Sequence, residues 1–438
     1  MKTTAYKKLL ITFVALTSWL VSYCHQYPDS LNKYLEIAAK NNPTVQQKFT
    51  EYQAALQKIP QVGSLSDPEL SLGVFLKPME LVSGNQVADI RLMQMFPWFG
   101  VLKNAKDEMS LMANTKFELF RDAKLQVFYE VQRTWYDLYK IQKDISISEK
   151  NIEILKTIER LALVRFKSAA SIQSASMGSS SVNSGLSDLY RIQMETGELE
   201  NNIALLKNQV QTVISLFNSY LNRPPVTPVF ISESLAADSL GLSLIDVSDS
   251  ILAKNPMLSM LEFEKQSIEA RKKMVTAMGY PMVGLGLNYS FISKNAMSTS
   301  SMNGKDMVMP MVTVTLPIYR KKYNAMVKEA DLLKIATSQN YQTVANSLQT
   351  EYYQAVQLYQ DAQRRVKLYE NQFQLASKSF DLMLKSFSVS SSELTDVLSV
   401  RQQMLDYELK QVEAVVDFNT AVAWLKRLGN LDINGNKL

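Results

Sequence analysis

Cysteine and histidine are almost absent from this chain of 438 residues, which contains one of each, Cys24 and His25. Both lie beside the N-terminal apolar run, so the rest of the sequence offers no thiol nucleophile and no imidazole base. The usual ligands of a zinc site are missing as well, and no Gly-rich phosphate-binding loop is present. We therefore expect neither enzymatic activity nor a cofactor.

Long apolar runs are also missing, except for residues 9–23, which follow three lysines within the first eight residues. This arrangement predicts a secretory signal peptide over residues 1–24. No clear cleavage motif follows it, and Cys24 is a candidate for lipidation, with removal of the whole segment as the alternative. Removing the three lysines lowers the formal charge from +5 to +2, so the charge does not indicate nucleic-acid binding.

Four segments alternate apolar and polar residues with the period of a β-strand. They are residues 70–76, 88–92, 283–291 and 308–316. We predict that they form two β-hairpins, 68–96 and 282–316. Such strands have about the length needed to cross a bilayer at a tilt. Packing of both hairpins on a soluble core is the alternative.

Proline and glycine are missing from two long stretches, 102–166 and 321–387. At about 1.5 Å per residue, each would form a helix about 100 Å long. A helix of that length predicts a coiled coil or a helical tube. Shorter helices are predicted on either side, and in each half of the chain a pair of them adds up to one long helix: 30–59 with 186–221, and 244–278 with 392–428.

The two halves of the chain carry the same motifs in the same order. Asn42-Pro43 corresponds to Asn255-Pro256, and Ser187-Asp188 corresponds to Thr395-Asp396. We predict a first repeat over residues 25–222 (helix, hairpin, long helix and returning helix), a linker over 223–243, a second repeat over 244–429, and a C-terminal tail over 430–438.

Four strands are too few to close a membrane barrel, because an open sheet edge in lipid leaves backbone groups unpaired. Three chains together supply twelve strands. The predicted fold class is therefore an α+β membrane protein, in which a trimeric α-helical barrel is capped by a 12-stranded β-barrel with four strands from each protomer. A secreted periplasmic coiled-coil scaffold or adaptor without a pore is the alternative.

The sequence resembles the TolC-like outer-membrane efflux proteins over essentially its whole length after the signal peptide. The resemblance is carried by Asn41-Asn42-Pro43, Asp67-Pro68-Glu69-Leu70, Phe96-Pro97-Trp98-Phe99-Gly100, Ser187-Asp188 and Thr395-Asp396. It is closest to the branch that works with heavy-metal and multidrug pumps of the resistance-nodulation-division type. It implies a passive homotrimeric exit duct in the cell outer membrane, in contact with lipid and with a long periplasmic extension. A periplasmic adaptor (membrane fusion) protein and an inner-membrane pump of that type are the implied partners.

The resemblance also implies where the periplasmic aperture lies, namely at the turns 167–185 and 386–393. In the family, aspartates at the position of Asp396 constrict the tunnel, and Asp188 belongs to the same region. Ser399 replaces a second constricting aspartate, which is a departure from the family pattern. Both aspartates are predicted in the first turn of a returning helix, where helix capping is the alternative role.

Four further side chains near these turns are gating candidates. They either tie the helices of a closed aperture together or are merely solvated: Arg165, Tyr190, Arg191 and Lys385.

Methionine is abundant, with 21 residues, and several cluster around the second hairpin. Met307, Met309 and Met311 alternate along one strand, on the face expected to line the barrel. Thioethers are soft ligands for copper or silver, which makes these residues weak candidates for contact with a metal cargo. Filling of irregular apolar space is the alternative.

Overall fold

The structure of the chain is a computed structural model. It describes residues 31–173, 180–232, 234–238, 240, 243–389 and 391–431, with the side chains of 168–173 and 180–185 excepted. The predicted signal peptide, Cys24 and most of the predicted C-terminal tail lie outside the described residues.

The described residues form eight helices and four strands. In chain order they are α1 (Leu31–Asn41), α2 (Pro43–Gly63), β1 (Glu69–Leu81), β2 (Gly84–Phe96), α3 (Val101–Gln173), α4 (Ser180–Tyr220), α5 (Leu244–Lys254), α6 (Pro256–Met278), β3 (Met282–Ser293), β4 (Met307–Thr315), α7 (Arg320–Ser388) and α8 (Leu394–Leu428).

The two longest helices, α3 and α7, have 73 and 69 residues. Both extend over the stretches without proline and glycine, where nothing interrupts the helical hydrogen bonds. α3 continues beyond the predicted end at residue 166, and α4 begins before residue 186. Gly185 lies inside α4, since a single glycine costs a helix only about 1 kcal/mol. None of the described helices is both long and apolar enough to span a membrane.

The chain divides into two compact units. One contains the described residues of 1–42, 127–239 and 357–424, and the other those of 43–126, 240–356 and 425–438. The turn region that contains the gating candidates belongs to the first unit. The four strands belong to the second unit.

Asn42 and Asn255 each lie between two consecutive helices. The side chain of each also forms a hydrogen bond with the end of a returning helix. The Asn42 side chain donates to the carbonyl of Tyr220, at the end of α4, at 2.8 Å. The Asn255 side chain donates to the carbonyl of Leu428, at the end of α8, at 3.2 Å, and its Oδ1 accepts from the N–H of Met257. Each asparagine is buried and precedes a proline at the start of a helix, where the missing N–H costs little. The Asn-Pro motif of each half therefore has the same structural role.

The strands form one antiparallel sheet in the order β1-β2-β3-β4. The confirmed part of the predicted fold class is a predominantly helical chain with a four-stranded antiparallel sheet. Pro78 interrupts the register between β1 and β2, and Pro310 lies within β4. Both prolines are on edge strands, where a missing backbone donor is tolerated.

The sheet exposes its apolar face, while its polar face is buried along β3. Paired residues share a face, so Leu72, Ile90 and Tyr289 lie on the same side as Leu285 and Val312. On this side Leu76 is 98% exposed, and half or more of Leu72 and Val312 is exposed. On the opposite side Asn288 and Ser290 are only 7% and 5% exposed. A soluble sheet has the reverse arrangement.

Candidate functional site at the helix turns

Serine hydroxyls close the turn between α7 and α8. The Ser388 hydroxyl donates to the carbonyl of Lys385 at 2.7 Å, and the Ser391 hydroxyl donates to that of Ser386 at 3.0 Å. The Ser391 N–H reaches the same Ser386 carbonyl at 2.9 Å. These bonds satisfy carbonyls at the end of α7 that have no partner within the helix.

Arg165 ties α3 to this turn. Its Nη1 donates to the carbonyl of Ser392 at 3.0 Å. Its guanidinium also lies over the ring of Phe387, with Cζ at 5.1 Å from the ring centroid. The interpretation of Arg165 as an inter-helix tie therefore has a geometric basis within the protomer.

Arg191 makes a second tie, between the two returning helices. Its Nη1 donates to the hydroxyl of Thr395 at 3.1 Å, which joins α4 to the first turn of α8. Asp188 is half-buried near both arginines. Burial raises the pKa of its carboxyl, Arg165 and Arg191 lower that pKa, and Glu393 raises it further, so the pKa lies above its ordinary value. Asp188 thus lies close enough to both arginines for their positive charges to act on its carboxyl group.

The other three gating candidates lie on the surface of the protomer. Tyr190 is 58% exposed, and Lys385 and Asp396 are also exposed. Asp396 is in the first turn of α8, as predicted. The predicted position of Asp188 is wrong, because α4 begins at Ser180 and Asp188 lies more than two turns inside it. Its carboxylate is therefore in no position to cap α4.

Arg401 is a charged residue of this region that the sequence analysis missed. Its side chain is 1% exposed and forms an ion pair with Glu195, which joins α8 to α4. Its Nη2 also donates to Gln402 at 3.1 Å, but Nε and Nη1 are buried without a hydrogen-bond partner among the described residues. Burial lowers its pKa although Glu195 opposes that shift. The available signal was spacing, because Arg401 falls on the buried stripe formed by Val397, Met404 and Leu405.

An apolar cluster packs around the same helix ends. It includes Leu155 and Ile158 of α3, Ile192 of α4, Phe387 of α7 and Val397 of α8. Four helices therefore meet here, and the charged ties hold the ends of well-packed helices.

The methionine candidates lie on the sheet. Met307, Met309 and Met311 of β4 pair with Ser290, Asn288 and Gly286 of β3. The first two are about half exposed and Met311 is partly buried. All three lie on the polar face. Among the described residues, no group of three or more His, Cys, Asp or Glu side chains could hold a metal ion.

Comparison with known proteins assigns one segment of the chain to a family. Residues 247–430 match the family model described as outer membrane efflux protein. This segment is an outer membrane efflux protein domain. The resemblance inferred from the sequence motifs is thereby confirmed. No curated protein sequence matches the chain.

The efflux protein fold extends over nearly the whole chain. Three similar solved structures are the outer membrane protein VceC from Vibrio cholerae, CusC, and the outer membrane channel MtrE from Neisseria gonorrhoeae in its open state. VceC has a TM-score of 0.70 and 13% identity over 91% of this chain and 96% of VceC. The TM-score for CusC is 0.70, with 12% identity over 91% of both chains. For MtrE it is 0.69, with 14% identity over 93% of this chain and 90% of MtrE.

Proposed function

We propose that three copies of this chain form a passive exit duct in the cell outer membrane, which carries small molecules or metal ions from the periplasm to the exterior. In this assembly twelve strands close a β-barrel, and the long helices of three protomers form a periplasmic α-helical barrel. The coarser statement, that the chain contains a domain of the outer membrane efflux family, stands on the family match.

The observation that carries this proposal is the exposed apolar face of the sheet. A face containing Leu72, Leu76, Leu285 and Val312 is an extended apolar patch, and such patches mark contact with a membrane or a partner. The opposite face, which contains the polar residues Asn288 and Ser290, suits the side of a strand that faces a water-filled lumen. A periplasmic scaffold without a pore has no use for this arrangement.

Aromatic side chains at one end of the sheet support the same placement. Trp98 and Phe99 follow β2, Tyr280 precedes β3, and Tyr319 follows β4. All four are exposed, and Trp98 stacks on Tyr280 with ring centroids 5.3 Å apart. Tryptophan and tyrosine gather where a membrane protein meets the water interface, since each has a mostly apolar ring that carries a polar N–H or O–H group.

The turn region is the proposed periplasmic aperture. Arg165 and Arg191 hold the helix ends of one protomer together, with Asp188 nearby. Exposed Asp396, Tyr190 and Lys385 are available to neighbouring protomers or to the passage. The proposed partners that open it are a periplasmic adaptor and an inner-membrane pump of the resistance-nodulation-division type. The family resemblance supports this assignment.

Oligomeric state and conductance together test the duct. We expect the detergent-extracted protein to be a trimer by native mass spectrometry and to form ion-conducting pores in planar lipid bilayers. A monomer that stays in solution without detergent would instead establish the scaffold. A detergent-dependent trimer that never conducts, even with Asp188 and Asp396 replaced, would contradict the duct.

A further inference from the structure

Two methionine sulfurs converge at one point on the polar face of the sheet. Met93 and Met95 of β2 are the register partners of Gly286 and Gly284 of β3. The Met95 sulfur lies 2.5 Å and the Met93 sulfur 3.2 Å from the position that a Cβ atom on Gly284 would occupy. Because glycine has no side chain, both thioethers rest directly over the backbone of β3. The two sulfurs are therefore close neighbours.

A third methionine, Met311, lies on β4, on the other side of β3. Met311 of β4 is the partner of Gly286, so Met93 and Met311 face each other across a residue without a side chain. Strands two apart in a sheet are separated by about 9–10 Å. Methionine is long and rotates about three side-chain bonds, which lets sulfurs from both sides meet over Gly286. Thr313 borders the site, with its Cβ 3.4 Å from the same point over Gly284.

We propose that Met93, Met95 and Met311 form a thioether site for a soft monovalent cation, a silver or cuprous ion. Thioether sulfur is a soft ligand that selects such ions over hard cations, which prefer oxygen. The three ligands are neutral, and Asp89 and Arg91 on the same face of β2 carry one charge of each sign. The site rests on the proposed function only for its place on the route of the cargo.

Substitution of methionine by leucine distinguishes the role of the sulfur as a metal ligand from the role of the side chain in packing. It has nearly the volume of methionine and is tolerated in its place, so Met93→Leu with Met95→Leu keeps the space over the glycines filled but removes both sulfurs. Met112→Leu with Met194→Leu is the matched control, because these two exposed methionines lie on helices and not on the strands of the sheet.

Silver binding to the full-length protein in detergent measures the site. The single cysteine is first alkylated, silver nitrate is added in chloride-free buffer, and bound silver is measured after equilibrium dialysis. We expect the paired substitution in β2 to weaken silver binding by at least about tenfold, since even outer-shell changes at metal sites cost that much. The control should bind as the parent does, and silver X-ray absorption should show sulfur neighbours that the β2 variant loses.

Unchanged silver binding in the Met93→Leu, Met95→Leu variant would overturn the site, and so would an equal loss in the control, which would show indiscriminate binding to methionine. The duct is judged separately by conductance without silver. If the protein binds silver but does not conduct, the silver site stands and the duct is contradicted. If it conducts but does not bind silver, the duct stands and the silver site is contradicted.

Discussion

At the scale of single residues, the notable feature is that some charged side chains are buried between helices with few hydrogen-bond partners. Asp144 on α3 is one of them. Burial raises its pKa to about 6, Lys140 opposes this shift, and Glu413 adds to it. Lys140 donates instead to Glu413 at 2.9 Å, and the Asp144 Oδ1 is buried without a hydrogen-bond partner among the described residues.

Asp144→Asn is expected to stabilise the protein above pH 6 and to change little well below it. Because the folded-state pKa exceeds the unfolded value, Asp144 contributes stability at low pH that is lost as the pH rises through about 6. The gain is about 1 kcal/mol, less than the shift alone implies, since the group is only partly buried. Unfolding midpoints on both sides of pH 6 measure it. Glu149→Gln, at an exposed ion pair with Lys207, is the control and should show no such dependence.

Asp396→Ala and Asp188→Ala are expected to alter the aperture in different ways. Loss of the exposed Asp396 carboxylate should weaken block by cations, because a ring of negative charge attracts them. Loss of Asp188 removes the negative charge that lies near Arg165 and Arg191, and should raise conductance because both arginines are then held less firmly. Single-channel recordings measure the conductance and the cation block of both variants, and Ser399→Ala is the control. Parent-like conductance and block in both variants would exclude a gating role.

The residues of the aperture show what sequence can and cannot supply. Arg165, Asp188 and Arg191 were found because all lie near predicted helix ends. Met93 and Met95 were missed because their setting depends on the pairing of β2 with β3, which are far apart in sequence and have no local signal for register. Arg401 was missed because a single arginine within an apolar stripe resembles a solvated residue.

At the scale of helices and strands, the ends of elements are fixed by few side chains. Period and composition predicted all four strands and both long helices, since alternation and the absence of proline and glycine are local properties. The ends of α3 and α4 could not be predicted, because neither is marked by a strong stop or capping signal.

Asn255→Ala is expected to destabilise the protein by about 1–2 kcal/mol, because it removes the cap of α6 and the bond to the end of α8. Asn255→Asp separates the two roles, since it keeps an acceptor for Met257 and loses the donor to Leu428. The free energy of unfolding of Asn255→Asp, measured by chemical denaturation, should lie between those of the parent and the alanine variant. An Asp variant as stable as the parent would show that the bond to Leu428 contributes nothing.

Glu195→Ala is expected to destabilise the α4–α8 contact by about 3–5 kcal/mol, because it leaves the buried guanidinium of Arg401 unpaired. Arg401→Met should cost far less, since it removes the buried charge and retains apolar volume. Denaturation of both variants tests this asymmetry. Equal losses of stability in the two variants would mean that loss of the ion pair, and not the burial of an unpaired charge, causes the destabilisation.

At the scale of the whole molecule, the sheet with its apolar face outward is the property that most constrains function. Alternation in the sequence predicted two faces for each strand, but it could not show which face is covered. The structure supplies this information through the exposed Leu72 and the buried Asn288.

Leu72→Lys is expected to impair membrane assembly, because a lysine on a lipid-facing strand costs about 2–4 kcal/mol near the bilayer midplane. Thr313→Lys, on the opposite face of the same sheet, should be tolerated. The fraction of protein recovered from outer membranes as a heat-sensitive trimer is the measure. Equal recovery of both variants would contradict a lipid-facing apolar surface.

The prolines in the two edge strands have a consequence for the time before a protomer meets its neighbours. A newly secreted chain presents the free edges of β1 and β4, and such edges readily recruit any unpaired strand. Pro78 lies in β1 and Pro310 in β4, and proline in an edge strand makes that strand a poorer template for stray chains. The strands β1 and β4, along which the protomers join in the proposed trimer, thus also protect the free protomer from misassembly.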